Sequence, residues 1–267
     1  MKQDYHCSAS GEIAGGEYGE IRVSGGLKMN GDVQCDRLHV SGGVKSFGDL
    51  RCGSLHLSGA VKTAGSFACE EMQVSGALKA EGALSAVTAR VSGEAKTEQG
   101  IHVSEKLAVS GSVKAEHNIC LGEAEISGSI KTEGKIEAKA LRVSGVLKCG
   151  SDVAAERFAA SGKVEIPGLL NADTIEISLS SRCEVGDIGC TSLTMKKDWV
   201  GFSIGSPRIC LKVRSIEGDT IVLENTEAEV VRGKNVTVGK HCRIGRVEYS
   251  ETLNVLDGGK VEEEVKE

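Results

Sequence analysis

Aromatic side chains are scarce: tryptophan, tyrosine and phenylalanine together make up 3 % of the 267 residues. With 35 glycines besides, the interior must be narrow and filled by Val, Leu, Ile, Ala and Cys. No apolar run approaches the roughly 18 residues of a membrane-spanning helix. The opening Met1-Lys2-Gln3-Asp4-Tyr5-His6 is polar and lacks the basic start and apolar stretch of a secretory signal. The expected compartment is therefore the cytoplasm, where the ten cysteines stay reduced. Cys-x-x-Cys pairs, a phosphate loop, a nucleophile elbow and a zinc motif are all missing. Asp and Glu are scattered and offer no carboxylate pair of the glycosidase kind. We expect no catalytic, metal or cofactor site. The net charge of -6 gives no global reason to expect nucleic acid.

What the chain does have is a repeat. An apolar-Ser-Gly unit begins at Val23-Ser24-Gly25 and returns at Ser41, Ser58, Ser75, Ser92, Ser110, Ser127, Ser144 and Ser161, each followed by Gly. The steps are 17 residues, except one of 18 between Ser92 and Ser110. A fixed period of this size signals a solenoid, in which each coil buries its apolar face on its neighbours. The third residue after each Ser is apolar, as in Leu27, Val44, Val61 and Leu78, and so is the ninth, as in Val33, Leu50, Phe67 and Leu84. Pairs such as Leu38 and Val40, or Ile175 and Ile177, continue the pattern. Apolar and polar residues alternate within each segment, which is strand periodicity and excludes helix.

Three strand-like segments per repeat predict an all-β fold, a single-stranded, three-sided β-helix with about 17 residues per coil. Its corners fall at Ser-Gly, at Gly31, Gly48, Gly65, Gly82, Gly134 and Gly168, and near Asp36-Arg37, with glycine expected to supply positive φ at sharp bends. The expected organisation is an N-terminal cap or irregular first coil over 1–23, the main β-helix over 24–195, an interrupting loop over 196–207, further coils over 208–256 and an acidic, solvated or disordered tail over 257–267. Beyond the loop, Val213, Val230 and Val247 recur at 17, as do Ile221, Val238 and Val255. The extra residue of the 18-residue step predicts a bulge in the rung containing Gln99 to Ser104.

Several columns carry chemistry-bearing residues. The fourth position holds Lys28, Lys45, Lys62, Lys79, Lys96, Lys114, Lys131 and Lys148, and Glu165 ends the series. It lies between two inward positions and so points outward. Such a stripe is either a solvated face that discourages sideways sticking of strands or a surface for an anionic partner, such as a membrane, an envelope polymer or nucleic acid. The shortage of aromatics weakens the nucleic-acid option. Cys35, Cys52 and Cys69 share a column continued by Ala86, which reads as packing of small buried groups. Cys149 and Cys183 are expected to share another column, with Ile166 between them. His39 and His56 stack outward above Gln73 and Arg90. Tyr5, Trp199 and Phe202 are candidates for caps or assembly contacts.

Repeats such as Val143-Ser144-Gly145-Val146-Leu147-Lys148 and Ala160-Ser161-Gly162-Lys163-Val164-Glu165, with Gly134-Lys135-Ile136-Glu137-Ala138, resemble those of the bactofilins. The resemblance runs over roughly residues 20–195 and less closely over 208–255, in a chain longer than a compact bactofilin core. It implies a right-handed β-helix that assembles end to end with itself, without nucleotide, into non-polar filaments. These would scaffold morphogenesis, envelope or motility proteins in the cytoplasm or at the inner face of the membrane. Two other classes compete. Hexapeptide-repeat acyltransferases run at 18 per coil against 17 here, and a carbohydrate-active β-helix would need a convergent site. A non-polymerising binding module would use the lysine stripe.

Overall fold

The structure is a computed structural model that describes residues 2–178, 182–196 and 211–267. Among them there is no helix, and so none long and apolar enough to cross a membrane. The described residues fall into two compact units, one ending at Gly134 and the other beginning at Lys135. Each is a parallel β-solenoid.

In the first unit, Gln3–Cys7 pairs with Ser10–Val23, which pairs with Gly26–Val40. Each later coil has a short strand and a long one, as in Gly43–Ser46 with Leu50–Leu57 and Ala60–Thr63 with Phe67–Val74. Register follows the sequence period: Val44 lies opposite Val61, and Leu55 opposite Met72. The long strands bend midway, so each coil has three inward pairs. In the coil of Gly26–Val40 these are Leu27 and Met29, Val33 and Cys35, and Leu38 and Val40, all buried. The extra residue of the 18-residue step is accommodated between Val103 and Lys106, at that midway bend. Gly122 sits against it, because a Cβ there would meet the Ser104 carbonyl oxygen at 2.5 Å.

Glycine supplies the expected positive φ at Gly31 but not at the other predicted corners. Only Gly16, Gly31 and Gly258 adopt positive φ among the described glycines, and none of these belongs to a Ser-Gly unit. The reason for glycine is close stacking. A Cβ on Gly42, Gly59, Gly76 or Gly93 would lie far inside contact distance of the carbonyl oxygen of the equivalent glycine one coil back. That approach lets one carbonyl serve two donors: Val23 O accepts from Ser41 N at 2.8 Å and from Gly42 N at 3.1 Å, and Val40 O accepts likewise from Ser58 and Gly59. The ladder therefore turns the corner without orphaning its N–H groups.

At the next corner, buried hydroxyls do the same for carbonyls. Thr63 Oγ1 donates to Gly48 O at 2.6 Å and accepts from Gly65 N at 3.2 Å. Thr97 and Thr132 repeat the arrangement toward Gly82 and His117. Asp49 N and Ser66 N are received by the side chains of Asp32 and Asp49, each at 2.8 Å.

The second unit begins with the same pattern, Ile136–Val143, Val146–Cys149 and Val153–Ala160, and then departs from it. Lys163–Ser178 pairs with Cys183–Lys196 so that Glu165 faces Glu184 and Ile166 faces Val185. That step is 19 positions, which moves Cys183 off the column of Ile166 and corrects the expected Cys149–Ile166–Cys183 alignment. Cys183 instead sits against Val164, whose N–H reaches its sulfur at 3.1 Å.

The interrupting loop, with Trp199 and Phe202, lies outside the described residues apart from Lys196, which ends its strand. The ladder closes across it: Cys183 pairs with Leu211 and Thr194 with Val222. Leu211–Leu223, Thr226–Val238, Arg243–Val255 and Lys260–Lys266 then follow. Their steps vary, correcting the uniform period of 17. Val213 faces Ala228, Ile221 faces Val236 and Val230 faces Arg246, although Val238 does face Val255. One corner is shortened by Asn225, buried and left-handed at φ 53°, a conformation Asn tolerates better than most residues.

The acidic tail is exposed, as a solvated segment should be, but it is not disordered, since Lys260–Lys266 is a strand. Its charge run finds opposite charge one coil back, with Glu263 opposite Arg246 and a contact of 3.4 Å between them. Gln3–Cys7 and Ser10–Val23 are strands paired to the next coil, with register slips between Gln3 and Tyr5 and between Ala14 and Gly16.

Adjacent glycines separate close stacking from backbone freedom. Gly42→Ala should destabilise the fold by about 3 kcal/mol or more, because neither contacting group is a side chain that can move aside. Gly43→Ala, where a Cβ meets nothing within 4 Å, should be neutral or stabilising by about 0.5 kcal/mol. Denaturant unfolding of the two variants checks this, and equal effects would refute it.

Candidate functional site

In-register stacking turns each outward position into a line of identical points, one per coil, ~4.8 Å apart. Seven lysines of the stripe form one such line in the first unit: Lys28, Lys45, Lys62, Lys79, Lys96, Lys114 and Lys131 stack pair by pair. Glu12 precedes them opposite Lys28. All seven are exposed or half-buried, between inward residues such as Val44 and Ser46. Like charges ~5 Å apart in water repel by about 1 kcal/mol before salt screens them.

Carboxylates relieve part of this. Glu81 reaches back to Lys62 at 3.3 Å, Glu98 to Lys79 at 3.2 Å, and Glu133 to Lys131 in its own coil at 3.1 Å. Lys28, Lys45, Lys96 and Lys114 have no carboxylate within 4.0 Å among the described residues. Lys45 lies over the exposed Phe47 ring, 4.7 Å from its centre.

The eighth lysine of the stripe belongs to the second unit, where the equivalent line reads Lys148, Glu165, Glu184, Lys212, Glu227, Arg243 and Lys260. Signs there are mixed, although Glu165 faces Glu184 and Arg243 faces Lys260; Lys148 contacts Glu165 at 2.8 Å and Lys212 contacts Glu227 at 3.9 Å. Hydrogen bonds from Lys148 and then Lys163 hold the Glu165 carboxyl below the usual carboxylate range. The sequence pattern ended at Glu165, and the varied coil lengths beyond it hid this continuation.

Beside the lysine line runs a second outward column, Gly26, Gly43, Ala60 and Ala77. With so little side chain there, the lysine stems border an open groove of about 530 Å³ that extends from Ser10 and Gly11 to Glu94 and Lys96. Its lining includes five lysines and one carboxylate, Glu94.

The cysteine column is structural in character. Cys35, Cys52 and Cys69 stack in register and are buried. Hydrogen bonding to Cys35 and Cys69, and then burial, push the Cys52 thiol far above its ordinary value, so its nucleophilic thiolate is withheld. Among the described residues no three His, Cys, Asp or Glu side chains converge as a metal site requires.

His39 and His56 do stack, rings 4.9 Å apart and 17° from parallel, with Gln73 and Arg90 following in register. Burial, and then the neighbouring His56, lower the His39 pKa, while Glu20, 3.5 Å away, opposes the shift. Tyr5 occupies the first coil's place in the inward column of Ile21 and Leu38. It is half-buried, and its hydroxyl lies 2.5 Å from where a Cβ on Gly11 would be. Tyr5 thus covers part of the core at that end.

The molecule belongs structurally to the parallel β-solenoids, with chemistry displayed in columns. Comparison with known proteins finds partial relatives. The chain is 40 % identical over 100 residues to the uncharacterized protein YhbF of Bacillus subtilis (strain 168), covering 37 % of this chain and 42 % of that one. It is 39 % identical over 105 residues to the uncharacterized protein YhbE of the same organism, covering 38 % and 44 %. The chain thus spans less than half the length of the curated relatives it matches. No family model matches it, and no solved structure does.

Two measurements follow from these columns. A thiol reagent at mildly alkaline pH should leave Cys35, Cys52 and Cys69 unmodified in the folded chain and label them only in denaturant; rapid native labelling of Cys52 would contradict its burial. A depressed His39 pKa stabilises the fold fully above the unfolded value of about 6.5 and less as pH falls through the folded value. Stability should therefore decline on acidification in that window, and His39→Gln should flatten the decline. An unchanged slope would refute it.

Proposed function

We propose that this chain is a structural scaffold that assembles with itself, coil on coil, into nucleotide-independent filaments, as the bactofilin resemblance implies. The observation that carries this reading is the state of two ladder edges. Among the described residues, Gln3–Cys7 pairs only with Ser10–Val23, and Lys260–Lys266 only with Arg243–Val255. Each has, among the described residues, a side whose backbone groups pair with no strand, and such a side is a template for another chain. Val255 and Leu256, 42 % and 53 % exposed, add apolar surface near the second edge. The absence of a phosphate loop fits assembly without nucleotide. Client proteins would dock along the filament, in the cytoplasm or at the inner membrane face, and the chain itself would catalyse nothing.

Electron microscopy and sedimentation of the purified chain, without nucleotide, test the proposal. Filaments should form above a threshold concentration, and Val255→Lys with Leu256→Lys should raise that threshold at least tenfold. Monomers alone across a range of salt and protein concentration would overturn it.

A further inference from the structure

We propose that the groove of the first unit holds a linear polyanion, a chain bearing phosphate-type charges along its length, laid across the coils beside the lysine line. The proposal concerns a side face and does not depend on assembly at the ends.

The two units provide an internal comparison. The second unit shows that the fold accepts mixed signs at this register, with Lys148 paired to Glu165 and Lys212 to Glu227. The first unit keeps seven lysines in succession at the same register. Stacking does not require that choice, and like charges directly opposite work against it. Lys28, Lys45 and Lys96 all line the groove without a carboxylate partner among the described residues, so their charge is available to a ligand.

The shape favours a chain over a plane. Gly26, Gly43, Ala60 and Ala77 leave a recessed floor, and five lysines at four steps of ~4.8 Å run for about 19 Å. A linear ligand can enter this recess and meet successive ammonium groups, whereas a flat bilayer touches only their tips. Among the described residues, the groove lining contains no arginine and no aromatic ring. Recognition would then rest on charge density, without the bidentate geometry of guanidinium or the base stacking of single-strand binders. Lysine, a compact point charge on a long stem, suits phosphates whose positions vary.

The test measures binding of long-chain inorganic polyphosphate to the full chain across a series of salt concentrations. Binding should weaken steeply with salt, and orthophosphate at equal phosphate concentration should not compete. Lys28→Gln, Lys45→Gln and Lys96→Gln together should weaken binding at least tenfold at low salt. They should also lower the slope of log affinity against log salt by about 2, since each lost contact removes ~0.7. A control removing three exposed lysines elsewhere, Lys139, Lys240 and Lys260, changes net charge equally and should alter affinity less than twofold. Gly43→Glu places a carboxylate in the groove where a Cβ has open space, and should abolish binding with the unfolding transition preserved. No binding by the parent chain, equal losses in the two triple variants, or full binding by Gly43→Glu would overturn the proposal. So would binding to phosphatidylglycerol vesicles that polyphosphate fails to displace, which would identify a membrane surface as the occupant. Every arm is measured below the concentration at which filaments are expected, so failure to form filaments leaves the result interpretable.

Discussion

Everything in this protein depends on how closely one coil sits on the next. The parallel ladder fixes the spacing at ~4.8 Å, but the ladder alone would break at each corner, where a turning chain swings its N–H groups away. The Ser-Gly units prevent this by bringing two backbones so near that a Cβ cannot fit between them. In return, one carbonyl accepts from both Ser and Gly of the next coil. The buried threonines at the following corner serve the same need through a side chain.

This constraint explains which parts of the fold were legible in the sequence. Where Ser-Gly marks every coil, from Ser24 to Ser161, counting 17 places inward residues, lysines and the first three stacked cysteines correctly, because close stacking tolerates no slack. The one extra residue is absorbed where slack exists, at the midway bend between Val103 and Lys106. After Ser178 the marker disappears and counting fails. A 19-residue step moves Cys183 from the column of Ile166 to that of Val164, and Asn225 tightens a later corner so that Val213 meets Ala228 and not Val230. Lys260–Lys266 was obscured for another reason. A run of glutamates reads as solvated until Arg246 is placed opposite Glu263, and only register does that.

The glycine of the Ser-Gly unit shows the difference between a correct position and a correct cause. Composition marks it as a corner residue, and a corner residue suggests positive φ. The constraint lies instead between coils, and no single repeat contains it. The same holds for the candidate site. The lysine line was visible as a column, but its groove was not, because the groove consists of what Gly26, Gly43, Ala60 and Ala77 lack.

Columns also change how surface chemistry accumulates. On most folds a lysine has varied neighbours, and its charge is offset by whatever lies near. On a solenoid its neighbours above and below occupy the equivalent position, so a choice repeated in each coil adds along a line. Repeating an inward choice builds a continuous core; repeating an outward one builds a strip of potential that a net charge of -6 does not reveal. The second unit avoids that accumulation by mixing Glu, Lys and Arg at the same register, while the first unit sustains it across seven coils. Parallel ladders carry both units, so the contrast at this register lies in the side chains each one displays.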